Sequence, residues 1–444
     1  MKSILITNAT IINENSQKIS DIYVKNGKIE QISNNLSHIQ ADVVIDATNK
    51  YLIPGMIDDQ VHFREPGLTD KADIKTESLA AVVGGTTTYM DMPNNKPPIV
   101  TNDGLDKKFE VAKNRSYANY SFYLGATNKN IDEIKNTSKR ACGVKVFMGA
   151  STGNMLVDNI KSLEAIFLHS PKLIATHCEN SPIINKNFEK AKEKYGENIP
   201  IELHAEIRSR EACIESSSLA INLAKNFGSR LHVLHLTTKE EIEFFSNNYV
   251  QNKSITAEVC IHHLLYSKKD YASKAGFIKC NPSIKDEDDR LSLISAVNNN
   301  TIDVIATDHA PHLISEKTGV YEEITAGLPV IQHSLRTLLE FYHTETFSLE
   351  KIVEKTSHNP AICYNLKDRG FIREGYWADL VILEFLDTAI IDNMPILHKC
   401  GWSAFSDLPF KTKVVTTIVS GHIAYELGEE IPNKAIGMEL EFNT

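Results

Sequence analysis

The chain has 444 residues, 42% hydrophobic and 23% charged, the balance of an ordinary globular protein; disordered, fibrous and membrane-embedded classes drop out. Lys and Arg number 47 against 57 Asp and Glu, a formal charge of −10 at pH 7, and with no basic run a bulk electrostatic grip on nucleic acid is not expected. No stretch reaches the ~18 apolar residues of a membrane span, and the start MKSILITNATIINENS turns polar too early for a secretory signal, so no membrane association and a cytoplasmic location are expected.

In chain order, residues 1–55 hold short β-branched segments, ILITNATIIN, DIYVKNGKIEQIS and ADVVIDATN, split by Asn-Gly and Asn-Lys turns, the pattern of antiparallel hairpins. The same texture returns in ADLVILEF, KVVTTIVSG and HIAYE. Neither piece alone can bury a sheet face, so residues 1–55 and 366–444 are expected to pair into one small β-sandwich domain around a larger domain at 56–365.

Eight apolar segments span the middle: LIPGMIDDQVH, TTTYMDMPNN, YSFYLGATN, GVKVFMGAS, KLIATHCEN, RLHVLHLTT, SITAEVCIHH and DVIATDHAPH. Stretches able to form helices, such as 101–115, 205–227 and 286–299, separate most of them. Continuous apolar character marks strands buried on both faces, hence a parallel sheet. Eight strand-helix units over about 300 residues fit an α/β fold of the (β/α)8 TIM-barrel type, with a doubly wound sheet as the alternative. Seven cysteines without a Cys-x-x-Cys pair read as small buried residues, not as disulfides or a structural zinc site.

Each apolar run ends in polar residues, and the C-terminal ends of barrel strands are where that architecture places its active site. The first ends Gln60-Val61-His62, the fifth Thr176-His177-Cys178-Glu179, the sixth His232-Val233-Leu234-His235, the eighth Thr307-Asp308-His309. A lone histidine near a strand end is more often a hydrogen-bonded bystander. Imidazoles and a carboxylate from four separate strand ends are a donor set that suits zinc. Strand alternation puts Gln60 and His62 on one side, whereas Cys178 and His177 point to opposite faces, so one cannot easily activate the other; the same alternation applied to His262 and His263 reads them as structural or as groups standing behind the ligands. Lys145 lies inside an apolar run, where an ammonium must be neutralised, paired or modified, or else snorkel to water.

Taken together, PGMID, HFREPG, MPNN at 92–95, GVKVFMG, ATHCEN, HVLHLTT, EVCIHHL, KCNPSIKDEDDR, ATDHAPH, GYWADLVIL and KCGWSAFSD resemble the amidohydrolase superfamily along nearly the whole chain. HFREPG, MPNN, ATDHAPH and CGWS resemble its dihydroorotase branch. That resemblance implies one or two zinc ions: His62 on the first, a carboxylated Lys145 bridging, and His177 and His235 on the second. Asp308 would touch the first zinc and act as general base. Arg64, Asn94 and His312 would hold the carboxylate of a small-molecule substrate, with Asn281 as a further contact. The implied reaction interconverts N-carbamoyl-L-aspartate and L-dihydroorotate, and a homodimer is compatible with it.

The departure is Gln60, where the family pattern has histidine. A neutral amide oxygen is a weaker donor to zinc than imidazole. Three outcomes stay open: a binuclear site with Gln60 as oxygen ligand, a site dominated by one zinc, or a catalytically silent scaffold. Another cyclic-amide hydrolase, acting on dihydropyrimidines, hydantoins or allantoin, is the nearest alternative activity.

Overall fold

The computed structural model describes residues 2–149, 155–391 and 393–443. Strands β1 (Ile4–Asn13), β2 (Ser16–Lys25), β3 (Lys28–Ser33), β4 (Val43–Asp46) and β5 (Tyr51–Pro54) come first. Eight more follow: β6 (Met56–Val61), β7 (Thr86–Asp91), β8 (Asn119–Gly125), β9 (Gly143–Phe147), β10 (Ile174–His177), β11 (Leu231–Val233), β12 (Ile255–Cys260) and β13 (Val304–Ala306). The last are β14 (Leu380–Ile391), β15 (Pro409–Val419) and β16 (His422–Glu426).

The eight middle strands pair in parallel, each with its sequence neighbour. The His62 amide donates to the His309 carbonyl at 2.7 Å and closes β6 onto the strand end after β13, so the sheet is a barrel and not a doubly wound layer. All residues of β6 to β11 are buried, as strands covered by helices on one face and packed inside on the other must be. Helices Asn102–Ala112, Arg210–Phe227 and Glu287–Asn298 occupy the expected stretches. The segment read as 143–151 is strand to Phe147, and its end at Ala150 and Ser151 lies outside the described residues.

Both chain ends build the other sheet, in the order β16-β15-β14-β5-β1-β2-β3 with β4 also on β1. β14 runs antiparallel to β5, and this pairing joins the two ends. Its core is Ile4, Ile6, Ile11, Ile22, Val24, Leu52, Leu380 and Ile382, among others. One turn differs from expectation. Asn26-Gly27 makes a hairpin with both φ positive (52° and 82°), but Asn49-Lys50 does not: the strands beside it, β4 and β5, both lie parallel to β1. The other hairpin turns at Glu14-Asn15, with φ of 50° and 55°; the left-handed pair a two-residue turn needs is here built without glycine.

Gly55 separates β5 from β6. A Cβ there would lie 2.2 Å from the Thr87 side chain, so only glycine lets the chain pass from one sheet to the other at this point. The C-terminal end returns to the barrel: the Tyr120 amide donates to Met438 O and the Leu440 amide to Tyr120 O, both at 2.9 Å. Trp402 Nε1 donates to His312 O at 2.8 Å, which ties the CGWS segment to the end of the eighth barrel run. Among the described residues no helix is long and apolar enough to cross a membrane, and all seven cysteines are buried and unpaired.

Candidate active site

One cleft of about 260 Å³ at the C-terminal ends of the barrel strands is lined by Gln60, His62, Arg64, Asn94, Lys145, His177, His235, Asn281, Asp308 and His312. Every residue that the sequence offered as ligand, base or substrate contact faces this space. A larger cavity, about 910 Å³, opens at the other end of the barrel between Lys172, Arg230 and Phe442, and contains none of them. Size therefore does not locate the chemistry; the convergence of polar groups does.

On one wall, His62 at the end of β6 meets Asp308 after β13. His62 Nε2 lies 3.0 Å from Asp308 Oδ1, and the Gln60 amide nitrogen donates to the same oxygen at 3.1 Å. The Gln60 carbonyl oxygen is buried with no hydrogen-bond partner. His62 Nδ1 lies 2.7 Å from Asn94 Oδ1. A buried lysine fixes the MPNN loop that carries Asn94: Lys108 pairs with Asp91 at 2.7 Å and donates to Met92 O and Asn95 Oδ1. Burial alone would raise the Asp308 carboxyl, but the His62 hydrogen bond and the charges of His62, His262 and Lys145 hold it below its ordinary value.

On the opposite wall, His177 Nδ1 faces His235 Nε2 at 2.9 Å. His177 Nε2–H donates to Glu179 Oε2 at 2.8 Å, and Arg208 also pairs with that carboxylate. With its hydrogen placed there by the partner, His177 turns the Nδ1 lone pair into the cleft. The His235 amide donates to Glu258 Oε1 at 3.0 Å, and its Nδ1 is buried without a partner. Burial pushes both imidazoles below their usual range, which keeps them neutral, the state in which histidine binds a metal. Between the walls stands Lys145, buried, its ammonium 4.7 Å from the Phe147 ring centre; burial brings its pKa down to about 8.

At the rim, Arg64 Nε donates to Pro311 O at 3.1 Å and Nη2 lies 3.1 Å from His312 Nε2, so the guanidinium plane is set before any ligand arrives. Lys71 donates to His312 Nδ1 at 3.2 Å. Burial, Arg64 and Lys71 together hold His312 neutral. The Asn281 side-chain oxygen is buried and unpartnered. Arg64, His235 and Asp308 have φ of 66°, 41° and 47°; non-glycine residues in this region store strain, and such strain concentrates at active sites.

This donor set fits a bound cation: two neutral imidazoles meeting edge-on with nitrogens 2.9 Å apart, a His–Asp pair, a buried lysine and an amide oxygen with nothing to bind. Sequence reading missed the groups behind it. Glu179, two residues after His177, and Glu258, inside a strand, orient His177 and His235. The i, i+2 spacing of His177 and Glu179 was the available signal. His262 and His263 also differ from expectation: they lie on a helical turn, Ile261–Leu265, with ring centres 4.2 Å apart, so strand alternation does not separate them. Neither lines the cleft.

A model of the amidohydrolase family matches residues 51–424. Dihydroorotases from Pyrococcus abyssi and Ligilactobacillus salivarius are 33% and 31% identical to the chain, over 92% and 96% of it and 92% and 99% of their own lengths. That of Methanosphaera stadtmanae is 28% identical over 95% of this chain and 96% of its own. Among solved structures, the L-hydantoinase (dihydropyrimidinase) of Arthrobacter aurescens superposes with a TM-score of 0.94 at 25% identity, over 99% of this chain and all of the other.

Proposed function

Because the chain belongs to the amidohydrolase family, as a cyclic-amide hydrolase, we propose that it interconverts L-dihydroorotate and N-carbamoyl-L-aspartate in pyrimidine synthesis, with zinc in the cleft. The observation that carries this reading is the pairing of a hydrolytic set, His62, Lys145, His177, His235 and Asp308, with a carboxylate-binding set, Arg64, Asn94 and His312, in one cleft. Dihydroorotate needs both: a ring amide to open and a ring carboxylate to hold.

Zinc would be held by His62, Asp308, His177, His235 and a carboxylated Lys145, with the Gln60 oxygen as a weak donor. Bound there, it would supply an electrophile for the ring carbonyl and bring the pKa of water from 15.7 toward ~7. The rest of the chemistry falls to the chain. Asp308, ionised because His62 stabilises its charge, takes a proton from the attacking water and returns it to the ring nitrogen as the C–N bond breaks, so no amide anion is expelled. In the reverse direction the same carboxyl accepts the carbamoyl nitrogen's proton while water leaves. Arg64 offers the substrate carboxylate two parallel N–H groups, a match lysine lacks. Neutral His312 adds a hydrogen bond without competing for the anion. Lys145, with a pKa near 8, is neutral often enough at pH 7 to react with carbon dioxide.

The test is a substrate panel on the zinc-loaded protein: dihydroorotate, dihydrouracil and allantoin, followed by ring opening. Turnover of dihydroorotate well above the other two supports the reading. Preference for either uncharged-ring substrate supports a hydantoinase-like activity instead, and inertness on all three supports a silent scaffold.

A further inference from the structure

One layer below the cleft, β6, β11 and β12 send Asp59, His232 and Glu258 into the barrel interior, each with no exposed surface. None of them lines the cleft. His232 Nε2 is 3.2 Å from Asp59 Oδ2 and 3.5 Å from Glu258 Oε2. Neither approach has hydrogen-bond geometry. Both Asp59 carboxylate oxygens, His232 Nε2 and Glu258 Oε2 are buried without a hydrogen-bond partner, and one ligand atom from each residue lies within 4.8 Å of the others. The atoms converge on a shared point, not on one another.

The hydrogen positions sharpen this. Thr256 Oγ1 donates to Leu231 O at 3.3 Å, so it accepts from His232 Nδ1–H at 2.7 Å. The second ring nitrogen, Nε2, then presents its lone pair to the two carboxylates. Glu258 Oε1 is occupied by the His235 amide, which leaves Oε2 directed inward. With a neutral imidazole the two carboxylates sum to −2 at a point with no exposed surface, a charge that is costly to bury uncompensated. One proton on the imidazole would still leave −1. A second, on Glu258, would bring the sum to zero but leave both Asp59 oxygens without a partner. A single divalent cation brings the sum to zero and uses every orphaned atom.

We propose that Asp59, His232 and Glu258 form a buried cation site that takes one divalent ion with N and O preference, zinc first among them. The site is structural: it is filled as the barrel closes, and through Glu258 it steadies the backbone of His235 in its left-handed conformation. It does not rest on the substrate assigned above.

Crystals of the wild-type chain grown with Zn2+ alone, measured on both sides of the zinc absorption edge, test it. An anomalous peak between the three side chains is expected. Zinc per chain should fall by one equivalent in Asp59→Asn, with the cleft peaks retained. His177→Ala should do the reverse, losing zinc from the cleft and keeping the deeper peak. A wild-type map with no peak at this point overturns the proposal, as does zinc content unchanged by Asp59→Asn; if that variant fails to fold, the wild-type map decides alone. A protein that shows the deeper peak but does not open dihydroorotate upholds this site and refutes only the functional reading.

Discussion

Asp308 and His309 are chain neighbours that enter two clusters of the same residue types with opposite properties. His309 belongs to the wall behind the cleft. Its Nδ1 accepts the Val330 amide at 3.0 Å and the Ile331 amide at 3.3 Å, which puts the hydrogen on Nε2, and Glu77 Oε2 accepts it at 3.0 Å. Glu77 is also 2.8 Å from His398 Nδ1 and accepts the Lys399 amide. In the cleft, the Gln60 side-chain oxygen and His235 Nδ1 are buried with nothing to bind, and His177 Nδ1 lies 2.9 Å from His235 Nε2. Histidine and carboxylate occur on both sides. The wall keeps an unused atom too, since His398 Nε2 is buried without a partner; what separates the two clusters is that the cleft's groups line an open cavity, whereas Glu77, His309 and His398 are fully buried and line none of it.

The comparison breaks most visibly at Asp308. Asp308→Asn, compared with wild type at matched zinc content, is expected to lower kcat about 10²–10⁴-fold with melting temperature little changed, measured by ring-opening rate, thermal melt and metal analysis on one sample. Near-wild-type turnover with metal in place would remove Asp308 from the proton path. Arg64→Lys should come next. Loss of a charge-assisted hydrogen bond, worth roughly 1.5–3 kcal/mol, should appear mainly as a rise in KM for dihydroorotate, with dihydrouracil turnover unaffected; equal losses on both substrates would contradict a carboxylate-specific role.

Glu77→Gln probes the wall instead. Burial would raise Glu77, but hydrogen bonds from His309 and His398 hold it well below the ordinary carboxylate range. A carboxylate depressed in the folded state contributes stability that is full above its unfolded pKa of about 4.3 and is lost as pH falls through the folded value. The substitution is expected to cost ~1–3 kcal/mol at pH 7 and to flatten the fall in stability from pH 5 downward, as urea melts across pH would show. An unchanged acid limb would mean that Glu77 is no brace. The smallest effect is expected from Gln60→His, which restores imidazole on the first-zinc wall. It should tighten the weaker zinc by at least the roughly tenfold that even a group behind a ligand is worth, read by chelator competition; no change would show that Gln60 already serves as a full ligand.

The barrel was legible because eight buried parallel strands write continuous apolar runs, each ending in the polar residues that face the mouth. The cleft was legible for the same reason: His62, His177, His235 and Asp308 sit at run ends, where period and position agree, and Lys145 stands out as a charge inside a run. What sequence could not show were partners distant in the chain. Glu77 meets His398 across 321 positions, and Asp59 meets His232 across the barrel interior; no local pattern encodes either. Local conformation misled twice. Asn49-Lys50 has turn composition but links two strands that both run parallel to β1, and His262-His263 leaves the strand for a helical turn at Ile261, which cancels an argument from alternation.

The central claim is that the cleft's donors act together through a bound cation on a carboxylate-bearing ring. The direct measurement is dihydroorotate ring opening by one preparation before chelation, after chelation and after zinc is returned, with metal content read at each stage. Activity that disappears with the metal and returns with it is the predicted result. Turnover that persists in metal-free protein, or none in the zinc-loaded protein, would contradict it.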